Sequence, residues 1–389
     1  MIKPHDISVV VQGPITGNPD DRYEKRLTYR CLESVHKYLP GAEVIVSTWK
    51  GSNVSGLSYD VLVESDDPGA LPADMELRGR QILYNKRHYN STVKAGTEAL
   101  VNSPDELKFS RDRHRPLYNA NRQIVCTKAG LLAATKPYAM KLRSDMVLTG
   151  TGFLEFFGKY KARNPSWRIL KDRVVTNTYF ARNPYRKYPY PFHPSDWFHF
   201  GRREDVLNIW DIPLTPEPET SRWHDTRPHP PHDHERWAAY RYTVEQYNWL
   251  SFLRKHGEIL FDHKTDLSND SINTSELTIA NNLVLVETTQ LQIRFLKYAQ
   301  TTHNWIESYT HGDWLRLYKK YCDNSIHCWP DLMPLQKRVI GLNGKAVNFW
   351  WRHNLGSRVK AMSPTTFRLA KKVHSLIVNP NNPDNPNPV

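Results

Sequence analysis

The sequence predicts an α/β fold with a mostly parallel central sheet and helical additions toward the C-terminus, and three observations carry that prediction. Apolar, β-branched runs such as "ISVVVQ" and "EVIVSTW" alternate with segments of helical periodicity between residues 7 and 145. Gly-Pro or Pro-Gly pairs punctuate these segments at 13–14, 40–41 and 68–69. With 389 residues, 39% of them hydrophobic, and 12 Trp, 20 Tyr and 13 Phe, the chain can bury a sizeable core.

In chain order, residues 7–11 read as a buried strand ended by Gly13 and Pro14. A helix over residues 23–38 places Leu27, Cys31, Val35 and Leu39 four apart on one face and stops at Pro40 and Gly41. "AEVIVSTW" and "YDVLVESDDPG" are the next strands. Residues 71–101 are polar and fit a helix or a long loop. "NANRQIVCTKAGLLAA" is a helix with Ile124, Thr127, Leu131 and Ala134 on one face and Asn119 or Asn121 as its cap, and "YAMKLRSD" is the strand after it. Polar residues therefore gather at the strand exits: Gln12 and Gly13, Ser47 and Trp49, Glu64, Asp66 and Asp67, then Asp145. Open α/β sheets bind ligands at that edge. Past residue 160, "WRILKDRVVTNTYFARNP" reads as two strands across a turn, "DWFHFG" as a strand and "REDVLNIW" as a short helix. Residues 215–240 look irregular, "TVEQYNWLSFLRKH" is a helix, and "NLVLVETTQLQIRFLKY" and "DWLRLYKKYC" add strand and helix. No internal repeat is present.

The formal charge of +13 suits an anionic partner. Residues 337–372 hold nine Lys or Arg and no Asp or Glu, together with Phe349, Trp350, Trp351 and Phe367. That mixture suits an anionic membrane surface, a nucleic-acid backbone or an ordinary basic packing face. No zinc finger, helicase motif or RNP aromatic pattern supports nucleic acid, which leaves it excluded as a partner. The N-terminus lacks the pattern of a secretory leader, and no window approaches the roughly 20 apolar residues of a spanning helix. The four Cys form no CxxC pair, and Cys31 and Cys126 read as buried free thiols. A cytoplasmic protein is expected, with a disordered Pro- and Asn-rich tail over residues 379–389.

There is no GxxxxGK[ST], GxGxxG or GxSxG motif, so the usual phosphate loops and nucleophile elbow are absent. Asp145 can hold Mg²⁺ or Mn²⁺ against a diphosphate, or simply make an Asx turn. Arg143 shares its side of the strand, while Ser144 points the other way. Arg122, in the first turn of a helix aimed at the same edge, can add a fork of donors for phosphate, or be a plain exposed arginine. His224, His229, His232 and His234 invite a zinc reading, but the prolines at 228, 230 and 231 favour a polar loop beside a ligand. Asp196, among aromatics in "HPSDWFHFG", and Glu245, at a helix start, can each deprotonate an attacking hydroxyl; each can equally be a turn acid or a helix-terminal charge.

Taken in order, "ISVVVQGPI", "NRQIVCTKAGL" leading into "YAMKLRSD", "SDWFHFG" and "VEQYNWL" resemble the WavE-type lipopolysaccharide biosynthesis proteins, bacterial glycosyltransferases of surface-glycan pathways. The resemblance extends over residues 5–320. It implies a glycosyltransferase A-type, Rossmann-like fold that takes a nucleotide-diphosphate sugar as donor and a lipopolysaccharide core or other lipid-linked glycan as acceptor. Under it, residues 1–160 are the nucleotide-sugar half, 161–335 the acceptor half and 336–378 a basic aromatic region for the inner face of the inner membrane. Gln12, Gly13, Ser47, Glu64, Arg122, Gln123, Arg143 and Asp145 become donor-site residues, Asp145 the ligand of Mn²⁺ or Mg²⁺, and Glu245, then Asp196, the candidate bases. "RSD" departs from the Asp-x-Asp of that fold, because Arg143 stands where an acid belongs. Arg143 can itself neutralise phosphate. A carbohydrate- or nucleotide-binding protein without turnover is the alternative.

Overall fold

The computed structural model describes residues 2–72, 76–77, 80–81, 117–230, 233, 238–296 and 307–329. A seven-stranded sheet organises them. Its elements, with their neighbours, are β1 (Ile7–Gln12), α1 (Leu27–Tyr38), β2 (Glu43–Trp49), β3 (Val61–Ser65), α2 (Ala120–Ala133), β4 (Tyr138–Arg143), β5 (Met146–Leu148) and β6 (Val174–Asn177). They continue with β7 (Phe198–Arg202), α3 (Arg203–Trp210), α4 (Val244–Arg254), α5 (Asn269–Asn282), β8 (Leu283–Val286), β9 (Ile293–Phe295) and α6 (His311–Tyr321). The strand order is β8-β6-β7-β4-β1-β2-β3. Every neighbouring pair is parallel except those made by β7, which runs antiparallel to β4 and to β6. The sheet is thus mixed and mostly parallel, as expected. A separate antiparallel pair, β5 with β9, lies beyond the exit of β4.

The chain builds β1, β2 and β3 outward in one direction and then returns to lay β4 on the other side of β1. That reversal opens a crevice at the carboxyl ends of β1 and β4. All six residues of β1 are buried, which a strand covered on both faces requires and which its run of valines supplies. Helix α2 packs over β1, β2 and β3. Gly130 lets it approach closely, since a Cβ there would fall 2.4 Å from Val10 Cγ1 and 2.9 Å from Ser47 Cβ.

Two expected elements differ. The helix expected over 23–38 begins at Leu27, after one 3₁₀ turn at Tyr23–Lys25. Only Val174–Asn177 of the expected strand pair is a strand. Residues 169–172 are instead bonded by side chains: Asn282 Oδ1 accepts from the N–H groups of Ile169 (3.0 Å) and Leu170 (3.1 Å), and Asp205 from those of Lys171 (2.8 Å) and Asp172 (2.9 Å). With their backbone groups satisfied this way, these residues have no call for a ladder partner. Cys31 and Cys126 are buried free thiols, as expected.

The chain divides into two compact units. The first, Met1–Lys297 with Thr302–Ile326, holds the sheet; of the second, Tyr298–Thr301 with His327–Val389, residues 327–329 are described. The basic region 336–378, the tail 379–389 and most of 71–101 lie outside the described residues. Among the described residues, no helix is long and apolar enough to cross a membrane.

Candidate functional site

Three parallel strands end side by side, β1 at Gln12, β2 at Trp49 and β4 at Arg143, and all three terminal residues line a cavity of about 560 Å³. The N-terminal end of α2 adds Asn119, Arg122 and Gln123, the loop after β3 adds Asp67, and the turn after β4 adds Ser144 and Asp145. The volume is in the range of small-molecule and cofactor sites. A helix N-terminus at its wall favours an anion.

Local chemistry fixes the floor. Gly13 has φ +124°, a region that favours glycine, and a Cβ there would meet Ser144 Oγ at 3.0 Å. The Ser144 N–H donates to Gln12 O (3.0 Å) and its hydroxyl to Pro14 O (2.8 Å), so the exits of β1 and β4 are tied together. On the other side of that turn, Arg143 Nε and Nη2 donate to Asp145 Oδ1 (2.9 Å) and Oδ2 (2.8 Å). The guanidinium also lies 5.1 Å from the Trp197 ring centre and 5.7 Å from that of Phe295. Arg122 makes the same kind of fork to Asp67, Nε to Oδ1 at 2.7 Å and Nη2 to Oδ2 at 2.5 Å. That pairing holds the Asp67 carboxyl below its ordinary range and raises Arg122.

One layer below, Lys141 is fully buried, donates to the backbone carbonyl of Asp196, and sits 4.7 Å from the Trp210 ring centre. Burial lowers its pKa to about 8. Burial raises the Asp196 carboxyl, against the pull of Lys141 and Arg143. Asn248 Nδ2 reaches Asp196 Oδ2 at 3.5 Å, and Asp196 Oδ1 has no partner among the described residues. Glu245 stands in the first turn of α4, its Oε2 3.5 Å from Nε2 of the buried His193. Neither acid is a cavity-lining residue.

The expected donor-site residues divide. Gln12, Gly13, Arg122, Gln123, Arg143 and Asp145 come together at the cavity. Ser47 does not: it is fully buried, its hydroxyl donates to Cys126 O (2.6 Å), and the Cys126 thiol donates back to Ser47 O (2.8 Å), so it joins β2 to α2. Glu64 is exposed on the edge strand β3, and the acid that reaches the cavity from that exit is Asp67. Trp49, Asp67 and Asn119 had only their positions at strand exits and a helix cap to signal them.

The metal role expected of Asp145 meets an obstacle in the same geometry. Both its oxygens are engaged by Arg143, and among the described residues Asp145 belongs to no group of three or more His, Cys, Asp or Glu arranged to hold an ion. A carboxylate held in a cationic fork is a poor fit for a hard divalent cation, which seeks several oxygen ligands. The described group that is so arranged is His224, His229 and Asp233, in the loop read from sequence as polar; His232 and His234 lie outside the described residues.

The family description "WavE lipopolysaccharide synthesis" matches residues 7–101 and 103–337. The chain belongs to the WavE family. The match includes every residue at the cavity. A search of curated proteins finds no match to this WavE-family chain.

Proposed function

We propose that this WavE-family protein is a glycosyltransferase of the A-type fold that moves a sugar from a nucleotide-diphosphate donor to a lipopolysaccharide core or other lipid-linked glycan. The observation that carries the reading is the convergence of two guanidinium groups, Arg122 and Arg143, and the α2 N-terminus on one cavity at the β1/β4 switch point. A diphosphate suits the N–H donors gathered there, the Asp67 and Asp145 carboxylates offsetting the two charges in its absence, and Trp49 lines the same cavity as an aromatic for a base or sugar. As the bond from anomeric carbon to phosphate loosens, negative charge grows on the diphosphate, and prepositioned arginines stabilise it without reorganising. Asp67 and Asp145 keep each fork in its plane. In this reading residues 1–160 hold the donor and 161–335 the acceptor. Glu245 and Asp196 are the candidate bases, Asp196 with a buried Oδ1 that has no partner among the described residues. Mn²⁺ or Mg²⁺ at Asp145 would have to share that carboxylate with Arg143, so the arginines take the larger part of the charge.

The test is donor hydrolysis. Purified protein is incubated with a panel of nucleotide sugars, with Mn²⁺ or with chelator, and free nucleoside diphosphate is measured. One donor is expected to be turned over, with release persisting in chelator and falling about 100-fold in Arg143→Ala. Loss of all release in chelator would make transfer depend on an ion, and Mn²⁺-dependent release that vanishes in Asp145→Ala would return that ion to Asp145. Tight donor binding with no release, even with glycan acceptor added, would favour a binding protein without turnover, which the position of both acids off the cavity lining also permits.

A further inference from the structure

His224 and His229 come together from the two ends of a short turn in the loop after α3. Their rings stack with centres 4.0 Å apart and planes at 19°. His224 is 2% exposed. Its Nδ1 faces the carbonyl of Arg227 at 3.4 Å, while His229 Nδ1 lies 2.5 Å from Asp233 Oδ2. Each Nδ1 therefore has an acceptor that retains its proton, which leaves the lone pair on Nε2. Those two Nε2 atoms are buried and have no partner among the described residues. A buried polar atom without a partner calls for a physical reason, and an ion is one of the few available.

We propose that His224 and His229 hold a divalent transition-metal ion through Nε2, at a site separate from the diphosphate cavity. The surroundings have the form of a second ligand shell: a backbone carbonyl orients one imidazole and a carboxylate the other. Asp233 is the positioning residue. Lys264, fully buried with its Nζ 3.0 Å from Asp233 Oδ2, balances that carboxylate, so the site offers neutral nitrogens rather than anionic oxygen. This donor set selects Zn²⁺, Ni²⁺ or Cu²⁺ over Mg²⁺ and Mn²⁺. One potential ligand atom from each of the three residues lies within 4.8 Å of the others, and the two imidazoles must turn out of their stack for both Nε2 lone pairs to meet one ion. Solvent completes the coordination.

The ion would brace a wall of the cavity. Lys264 Nζ also sits 4.6 Å from the ring centre of Tyr240, and Tyr240 packs at 5.6 Å against Tyr118, the residue before the cavity-lining Asn119. In the same loop, Thr215 donates through N–H (2.8 Å) and hydroxyl (3.0 Å) to Asn121 Oδ1, in the first turn of α2. The site thus connects through packed side chains to the end of α2 that carries Arg122.

The test uses tag-free, chelator-stripped full-length protein and Zn²⁺ alone, titrated by calorimetry, with Co²⁺ absorption as a direct reading of nitrogen ligation. One equivalent is expected to bind and to raise Tm. Affinity should fall at least about 10-fold in His224→Gln and in His229→Gln, and by a similar factor in Asp233→Asn. Asp145→Asn should leave it unchanged. Circular dichroism of the unloaded variants checks folding, and Gln retains most of the histidine volume. No stoichiometric binding, or binding that both Gln variants retain, would overturn the proposal and leave a metal-free hydrogen-bonded cluster. Binding lost only in Asp145→Asn would instead place the ion at the cavity. None of these readouts depends on sugar transfer, so the site and the glycosyltransferase reading stand or fall separately.

Discussion

Arg143 answers the question that the sequence leaves open about "RSD". In place of an acid stands a guanidinium, locked in plane by Asp145 and packed near Trp197 and Phe295. The pairing follows from strand alternation, but the rings that enclose it come from residues more than fifty positions downstream. Lys141, two residues earlier on the same strand face, is the more exposed to pH. Its pKa is lowered from 10.5 to about 8 by burial. Between those values the unfolded chain still binds a proton that the folded chain has released, so this group makes stability rise with pH across that window. Below pH 8 both forms are charged and the cost of burial is fully present; above the ordinary lysine value both are neutral and it is gone. Lys141→Met removes the titration. Denaturant midpoints taken at either end of the window should show wild type gaining on the variant by an amount of order 3 kcal/mol; a constant difference between them would mean that Lys141 stays protonated throughout.

At the scale of elements, α2 both covers the parallel half of the sheet and delivers Asn119, Arg122 and Gln123 to the cavity. Its setting depends on Gly130. Gly130→Ala improves helix propensity by about 1 kcal/mol. The new Cβ would lie 2.4 Å from Val10 Cγ1, and overpacking costs roughly 1–3 kcal/mol, so destabilisation wins. A lower urea midpoint and weaker donor binding are expected together, since α2 must lift and take Arg122 with it; an unchanged midpoint would show that helix and sheet part without cost. The parallel strands were legible because β-branched runs covered on both faces leave a continuous apolar signature. The segment 169–172 was not, because its backbone N–H groups are satisfied by Asn282 and Asp205, side chains distant in sequence.

For the whole molecule, the charge of +13 is concentrated in part between residues 337 and 372, where no acid offsets nine basic residues. An acceptor anchored in a membrane would be met by such a region, with aromatics in the interface. In liposome sedimentation, full-length protein should pellet with anionic vesicles and residues 1–335 should not; equal pelleting would remove that region as the anchor. By itself the sequence determined the mostly parallel α/β core, the strand-exit edge where the cavity lies and the WavE resemblance, because hydrophobic period and motif order are local properties of the chain. Only the tertiary structure decided that Ser47 is a packing residue, that Asp67 rather than Glu64 reaches the cavity, that Arg143 occupies Asp145, and that two histidines in a proline-rich loop stack with both Nε2 atoms buried. Those facts depend on which side chains meet across long separations, and spacing along the chain does not encode such meetings.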